Sequence, residues 1–443
     1  MRKILDIKNL IILLFCSFLT MTGVVCGGGG GGGSTGGGSN PPPPATNDQF
    51  VVFAWNDLGM HCLNPTYDEA VILPPYNNLF AQIVKKGNPP QIVTSGVTVE
   101  YTILNNTSSY GKTDTYGAVF AQFWDNALKL FGISLQKDTG LNLVDPNVHN
   151  GLAGNMLAKT DYFVANGIPV TPVGDNSVWN PYQVAEITVK DASGSTIAKT
   201  RTTVPTSDEI NCQRCHGIQA FKDILEKHDL KHGTKLVQQK PILCASCHGD
   251  PILGTSGPGT AGKYLSFAIH DSHAPRGAAC YDCHPGNTTK CSRSNAHTAP
   301  DGNCTICHGT MNDIASGTRM PWASEPKCVT CHAVSGVDTG VTLYRNARGH
   351  GNLYCADCHG SPHAMIPTNQ EADNYQALQY QGKAKTIGSC AACHQNSKGD
   401  GASEFAEKHG GTNPRTKSAC NICHTAVSSN TAQWPHAFQW KNR

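Results

Sequence analysis

Residues 212–216 read Cys-Gln-Arg-Cys-His, and this spacing of two cysteines and a histidine returns throughout the C-terminal half. The pattern Cys-x-x-Cys-His occurs eight times, with starting points 24 to 36 residues apart. The copies, numbered here as motifs 1 to 8, span Cys212–His216, Cys244–His248, Cys280–His284, Cys304–His308, Cys328–His332, Cys355–His359, Cys390–His394 and Cys420–His424. Sixteen of the 20 cysteines therefore share one local arrangement, which determines the class of this half of the chain.

Two cysteines with this spacing can form thioether bonds to the two vinyl groups of one haem, which places the next imidazole under the iron. The sequence therefore predicts eight c-type haems, each attached and given one axial ligand by a single motif. The predicted thioether cysteines are Cys212 and Cys215, Cys244 and Cys247, Cys280 and Cys283, Cys304 and Cys307, Cys328 and Cys331, Cys355 and Cys358, Cys390 and Cys393, and Cys420 and Cys423. The predicted proximal iron ligands are His216, His248, His284, His308, His332, His359, His394 and His424.

Structural zinc and a disulfide network are the alternatives to haem. Paired Cys-x-x-Cys units can hold tetrahedral zinc, but zinc leaves the histidine that ends all eight motifs unexplained. A disulfide network explains neither the constant gap nor the histidine. Haem attachment accounts for both features.

The second axial ligand of each iron must come from elsewhere in the C-terminal half. The candidates for this distal position are His228, His232, His270, His273, His297, His350, His363, His409 and His436. Eight irons would need eight of these nine histidines, so the numbers favour irons bound by two histidines, with one histidine to spare. Such irons have no open position for a substrate, which favours electron transfer over catalysis.

Spacing also predicts which distal histidines lie on the same helix and bind neighbouring irons. His228 and His232 are one helical turn apart, and His270 and His273 nearly so, so each pair is expected to serve two neighbouring haems. Methionine is the competing ligand type. The candidates are Met311, Met320 and Met365, of which the first two lie between motifs 4 and 5, where no free histidine occurs. The alternative there is one iron bound by a histidine and a methionine.

Apart from Cys26, two cysteines of the expected mature chain, Cys62 and Cys291, lie outside the motifs. They either form a disulfide between the two halves or stay buried and reduced. His61 beside Cys62, with Met60, also raises the alternatives of a soft-metal site or a further haem ligand. His149 is the other histidine of the N-terminal half, so a structural role for His61 is favoured over a metal site.

The N-terminus carries export signals. Residues 1–25 combine Arg2, Lys3 and Lys8 with an apolar run, which predicts a signal peptide, with a membrane span as the alternative. Cys26 then opens a Gly/Ser/Pro-rich tether over residues 26–46 and resembles a bacterial lipidation site, although Val25 fits such a site poorly. The protein is expected to be exported, to the outer membrane or cell surface, with the periplasm as the alternative.

Residues 47–206 carry no haem motif and are rich in branched and alternating residues at 50–55, 91–104, 182–189 and 196–204. They predict a mainly-β, sandwich-like domain, with a hairpin turn at 192–195. Residues 207–443 are predicted to form a haem-dense domain with short helices and little regular secondary structure, because porphyrins replace the side-chain core. Removal of residues 1–25 leaves a formal charge of zero, and no basic patch indicates nucleic-acid binding.

The eight motifs and the interspersed histidines resemble the outer-surface multihaem c-type cytochromes of metal-reducing bacteria. Trp55–Cys62, Leu73–Asn77 and Val204–Glu209 resemble an N-terminal domain found on some of them. The resemblance implies electron donors among periplasmic or outer-membrane cytochromes and extracellular acceptors such as metal oxides. Some relatives polymerise, which makes self-assembly a minor hypothesis.

The leading hypothesis is a non-enzymatic electron conduit through eight covalently bound haems, most of them bound by two histidines. The first alternative is an octahaem oxidoreductase that acts on nitrogen or sulfur oxyanions, which would need one iron with an open position. A second alternative makes the β domain a binding module for a mineral, a polysaccharide or a partner cytochrome.

Overall fold

The strand Phe50–Trp55 illustrates how the N-terminal half folds. Its sequence, FVVFAW, consists of branched, aromatic and small apolar residues, which favour a strand with both faces covered. In the computed structural model, which describes residues 49–394 except 88, 115–116, 118, 287, 296, 298–303, 318–319, 321 and 333–342, this strand has the predicted bounds. Its partner is an antiparallel strand at Asn77–Lys85.

The strands of the described residues are numbered in chain order. They are β1 Phe50–Trp55, β2 His61–Cys62, β3 Ala70–Val71, β4 Asn77–Lys85, β5 Gln91–Ile92, β6 Val97–Ile103, β7 Ala153–Asn155, β8 Leu157–Ala158, β9 Phe163–Ile168, β10 Val184–Asp191, β11 Thr196–Thr203, β12 Thr206–Ser207 and β13 Ile242–Leu243.

Two antiparallel sheets hold most of these strands. One has the order β1-β4-β9-β8, with β5 beside β4, and the other has the order β11-β10-β6-β7. Val52 and Ile83 from the first sheet pack with Tyr101 and Ile187 from the second in one buried core. The sheets therefore face each other, and the predicted sandwich-like β region is confirmed.

The N-terminal half differs from the predicted strand pattern in two respects. Residues 91–104 do not form one strand, because the chain turns at Gly96, where φ is +71° and the left-handed region favours glycine. A helix that was not predicted, α1 (Ala121–Phe131), packs Phe123, Trp124 and Leu130 into a second core.

The described part of the C-terminal half contains only short helices, as predicted. They are α2 Gln213–His216, α3 Ala220–His232, α4 Leu265–His273, α5 Cys304–His308, α6 Met311–Ala315, α7 Cys355–His359 and α8 Tyr375–Gln381. Single 3₁₀ turns connect several of them.

The C-terminal half also completes the β region. β12 pairs in parallel with β2, and β13, which leads directly into motif 2, pairs in parallel with β3. The open edge of β1 is covered by α8. Gln376 exchanges two hydrogen bonds with the backbone of Ala54, at 2.6 and 3.0 Å, and Tyr380 does the same for Val52 at 2.6 and 3.1 Å. These side chains satisfy backbone groups that an edge strand otherwise exposes.

The described residues on both sides of residue 206 belong to one compact unit. The predicted boundary between a haemless domain and a haem domain thus stays a prediction from composition. Over the part of the chain that the structure describes, no helix is both long and apolar enough to cross a membrane. The predicted signal peptide, the tether and Cys26 lie outside the described residues.

Candidate haem sites

Each of the seven motifs within the described residues forms one helical turn. Motifs 4 and 6 are the helices α5 and α7. In motifs 1, 2, 3, 5 and 7 the backbone N–H of the histidine donates to the backbone carbonyl of the first cysteine, at 2.8 to 3.1 Å. Positions i, i+3 and i+4 of a helical turn share one face. The local fold therefore brings two thiols and one imidazole to the same side of the backbone.

Six proximal histidines face six of the predicted distal histidines across a gap. The distances between ring centres are all between 6.0 and 6.5 Å. The pairs are His216 with His273, His248 with His228, His284 with His270, His308 with His363, His332 with His297, and His394 with His350.

This distance is what two imidazoles on opposite sides of one iron require. An imidazole nitrogen binds a transition metal at about 2.0 Å and lies about 1.1 Å from the centre of its own ring, so the two centres are about 6 Å apart. A direct in-line hydrogen bond between two imidazoles, with about 2.9 Å between nitrogens, would bring the centres to about 5 Å. The six pairs fit a haem iron better than they fit a hydrogen bond.

Hydrogen bonds to backbone carbonyls orient several of these rings. The Nδ1–H groups donate at 2.6 to 3.1 Å in four cases: His248 to Lys263, His270 to Ser266, His273 to Ile269 and His363 to Leu58. A carbonyl can only accept, so Nδ1 carries the hydrogen and Nε2 keeps its lone pair for a metal. In the same way Nδ1 of His228 donates to the hydroxyl of Thr234 at 2.9 Å.

Four of the distal candidates are also favoured in the neutral form. Burial lowers the pKa of each of them: His228, His297, His350 and His363. Neutral imidazole is the form that binds a metal. Burial thus favours the protonation state in which these four rings can bind a metal.

Motif 1 has a carboxylate behind its histidine. Nδ1 of His216 donates to Oδ2 of Asp223 at 2.6 Å, and Lys227 pairs with the other oxygen of the same carboxylate. Hydrogen bonds from Lys227 and His216 lower the pKa of Asp223, so this carboxylate is ionised. An ionised acceptor increases the basicity of a ligating imidazole.

The two predicted histidine pairs differ in what they face. On α4, His270 faces the histidine of motif 3 and His273 faces that of motif 1, so one short helix presents an imidazole to each of two motifs. On α3, His228 faces motif 2, whereas the exposed ring of His232 lies 4.8 Å from that of His228. Among the described residues, the ring that His232 approaches is that of His228, so the expectation that α3 serves two haems stays a prediction.

Apolar side chains near the motifs are left uncovered by protein. Ile218, which follows motif 1, is 93% exposed, and Leu230 on α3 is 89% exposed. Ile306, inside motif 4, is 64% exposed. Exposed apolar side chains in contact with a planar apolar group are stabilised by the hydrophobic effect. A haem bound at the adjacent motifs would offer such an apolar surface to these side chains.

Methionine was the alternative distal ligand between motifs 4 and 5, but a histidine faces the proximal histidine of each of these motifs. His308 and His332, the proximal residues of motifs 4 and 5, each face a histidine. Met320, by contrast, is 44% exposed. The arrangement favours histidine at both irons.

The residues Cys62, Cys291 and His61 lie outside the motifs. Both cysteines are free, partly buried thiols, which corresponds to the reduced alternative and not to a disulfide between the halves. Burial raises the pKa of Cys62 and raises that of Cys291 to about 11. Nε2 of His61 lies 2.9 Å from Oδ1 of Asp57 inside the protein. Between residues 49 and 394, where described, no group of three or more His, Cys, Asp or Glu side chains could hold one metal ion.

Motif 8 and two of the distal candidates, His409 and His436, lie outside the described residues.

Comparison with known families identifies the class of the chain. A family model described as cytochrome c554 and c-prime matches residues 310–360, which contain motifs 5 and 6. The match identifies the chain as a c-type cytochrome, a class of electron-transfer protein with covalently attached haem. None of the curated proteins matches the chain.

Proposed function

We propose that this c-type cytochrome is an exported octahaem conduit that moves electrons toward acceptors outside the cell. The observation that carries the proposal is the set of six histidine pairs with ring centres 6.0 to 6.5 Å apart. When bound there, haem would supply a one-electron ferric/ferrous couple. Two protein ligands on each iron leave no position for a substrate, which suits electron transfer.

Counting extends the pairing to the two remaining proximal histidines. The six pairs use six of the nine distal candidates, so His232, His409 and His436 are the candidates left for the irons of motifs 6 and 8. His232 is exposed and lies against His228. We therefore assign His232 as the spare histidine.

The motifs are neighbours in space from one end of the described half to the other. Motif 1 lies between motifs 2 and 3. Toward motif 2, α3 leaves motif 1 and presents His228 to His248. Toward motif 3, α4 faces both His216 and His284, and the N–H of Asn211 donates to the carbonyl of Cys283 at 3.3 Å.

The remaining motifs continue the row in chain order. Burial and the nearby Cys280 raise the pKa of the Cys304 thiol, and burial and the nearby Cys307 raise the pKa of the Cys328 thiol, so motif 4 lies next to motifs 3 and 5. Motifs 5 and 6 are both within electrostatic reach of the buried Tyr344 hydroxyl. Cys358 and Cys393 pack against the same apolar cluster, which joins motifs 6 and 7. The resulting order is 2-1-3-4-5-6-7.

The ends of this row suggest where partners dock. A periplasmic or outer-membrane cytochrome would deliver electrons at one end, and an extracellular acceptor such as a ferric oxide would take them at the other. The proposed lipid on Cys26 would anchor the chain to the outer membrane. These assignments follow from the proposed export and from the resemblance of the motifs.

Reoxidation of the reduced holoprotein tests the proposed function. Dithionite-reduced protein is mixed in a stopped-flow instrument with a soluble ferric complex or a quinone, and separately with nitrite, hydroxylamine or tetrathionate. A conduit is rapidly reoxidised by the first group and shows no ligand-bound iron spectrum with the second. Turnover of an oxyanion with a shifted spectrum at one haem would contradict the proposal in favour of a reductase.

Replacing His228 or His232 by alanine tests the assignment of the spare histidine. We expect His228→Ala to remove one axial ligand and to convert one haem per molecule to the high-spin state, whereas His232→Ala leaves every haem low-spin. The two positions are one turn apart on α3, with His232 at the last residue of the helix. Electron paramagnetic resonance of the ferric proteins measures the difference, and a high-spin signal from His232→Ala alone would reverse the assignment.

A further inference from the structure

We propose that the turn Asn56–Gly59 of the β region positions the distal ligand His363 of motif 4, so that the haemless half forms part of a haem site. This inference rests on the proposed pairing of His308 with His363, whose ring centres are 6.0 Å apart. It assigns a role to the Trp55–Cys62 segment that electron transfer as such does not explain.

The backbone of His363 needs external support. Its φ is +59°, in the left-handed region that is unfavourable for residues with a Cβ. A residue held in this region persists only where its surroundings fix it. The surroundings of His363 come from the turn in the β region.

The turn contacts both the ring and the backbone next to it. The carbonyl of Leu58 accepts a hydrogen bond from Nδ1 of His363 at 3.0 Å, which leaves Nε2 directed to the metal position. One residue further along, the backbone of Gly59 lies directly against Pro362. A Cβ on Gly59 would be 1.6 Å from the carbonyl oxygen of Pro362, and the φ of Gly59 is +79°. Only glycine fits this approach.

Further bonds hold the turn in place. Oδ1 of Asn56 accepts from the N–H of Leu58 at 3.0 Å and from that of Gly59 at 2.6 Å, and the N–H of Asn56 donates to the hydroxyl of Ser361 at 3.0 Å. The turn is therefore rigid within itself and linked to the residue two positions before His363.

A buried arginine ties the two sides together. Arg293 donates from Nη1 to the carbonyl of Gly59 at 2.7 Å and from its backbone N–H to the carbonyl of His363 at 2.6 Å. Its Nε pairs with Asp373 at 2.6 Å, and both side chains are 2% exposed. Arg293 thus holds the turn through its side chain and the backbone of His363 through its own backbone, so we expect displacement of the turn to move the imidazole.

The variant Gly59→Ala tests the proposal in the full-length holoprotein. We expect a high-spin ferric signal that integrates to one haem per molecule, while the other haems stay low-spin. Gly194→Ala is the matched control: its φ is +84°, but nothing lies within 4 Å of the added Cβ, so we expect the spectrum of the parent protein. Low-spin spectra for both variants would overturn the proposal.

Two further variants keep the test decisive. If Gly59→Ala does not accumulate as folded protein, Ser361→Ala is the second test, because it removes one hydrogen bond between the turn and the segment that carries His363. We expect a high-spin fraction smaller than one haem, and a fully low-spin spectrum would overturn the proposal.

The variant His363→Gly distinguishes a failure of the proposed pairing from a failure of the role of the turn. A fully low-spin spectrum from this variant would contradict the pairing of His308 with His363 itself. A high-spin haem in His363→Gly but not in Gly59→Ala or Ser361→Ala would contradict only the role of the turn. In the His363→Gly background, Gly59→Ala should add no further high-spin signal.

Discussion

Loss of motif 3 is expected to interrupt conduction along the protein by orders of magnitude. In the double variant Cys280→Ser and Cys283→Ser no thioether can form, so the site between motifs 1 and 4 is lost. Electron transfer between redox centres falls exponentially with their separation, and motif 3 joins motif 1 to motif 4 in the proposed row. The current through single holoprotein molecules in a scanning-probe junction measures the effect.

Motif 2 provides the matched control, because it lies at the end of the described row. Cys244→Ser with Cys247→Ser also removes one haem, so the two variants carry equal numbers of haems. We expect the motif 2 variant to retain most of the current while the remaining haems of both variants are still reduced by dithionite. Equal currents in the two variants would contradict the row, as would a larger loss from motif 2.

The substitution Asp223→Asn is expected to raise the reduction potential of the motif 1 haem by tens of millivolts. The ionised carboxylate 2.6 Å from Nδ1 of His216 makes the imidazole a stronger donor and stabilises the ferric state. Asparagine keeps a hydrogen-bond acceptor but removes the charge. For a one-electron couple, a tenfold change in the ferric/ferrous equilibrium is about 59 mV. Spectroelectrochemical titration of the holoprotein resolves the shift.

Two substitutions on the same helix sharpen this experiment. Glu226→Gln removes a carboxylate that pairs with Lys222 on α3, and we expect no change in any potential. Lys227→Gln removes the cation that shares Asp223 with His216, so the potential should fall. A potential that is unchanged in Asp223→Asn, or that falls, would show that the carboxylate does not tune the iron.

Local signals allowed the sequence to predict much of this molecule. A motif such as Cys212–His216 is complete within five residues, so one helical turn places its thiols and imidazole together without help from the rest of the fold. The strand β1 was also predictable, since its apolar residues are continuous. The hairpin of β10 and β11 follows from the glycine-containing turn between them.

The helix α1 was not predicted, although its sequence carries a helical pattern. The helix α1 has its buried residues Phe123, Trp124, Ala127 and Leu130 at helical spacing and ends at Gly132, whose φ is +72°. This amphipathic pattern is a sequence signal that could have revealed the helix.

The partners of the distal histidines depend on contacts distant in sequence. His350 faces a histidine that follows it by 44 residues, whereas His363 faces one that precedes it. Neither order can be read from spacing, because tertiary packing decides which rings meet. The same holds for Leu58 and His363, which are 305 residues apart in the chain, so sequence reasoning missed the contribution of the β region to a haem site.

The most direct test of the account is a haem count combined with the ferric electron paramagnetic resonance spectrum of the purified holoprotein. We expect eight haems per chain by the pyridine haemochrome method, all of them low-spin with two histidine ligands. Fewer haems would contradict the proposed conduit of eight. A high-spin signal in the parent protein would mean that at least one iron lacks its second histidine, and would contradict the pairing on which the account rests.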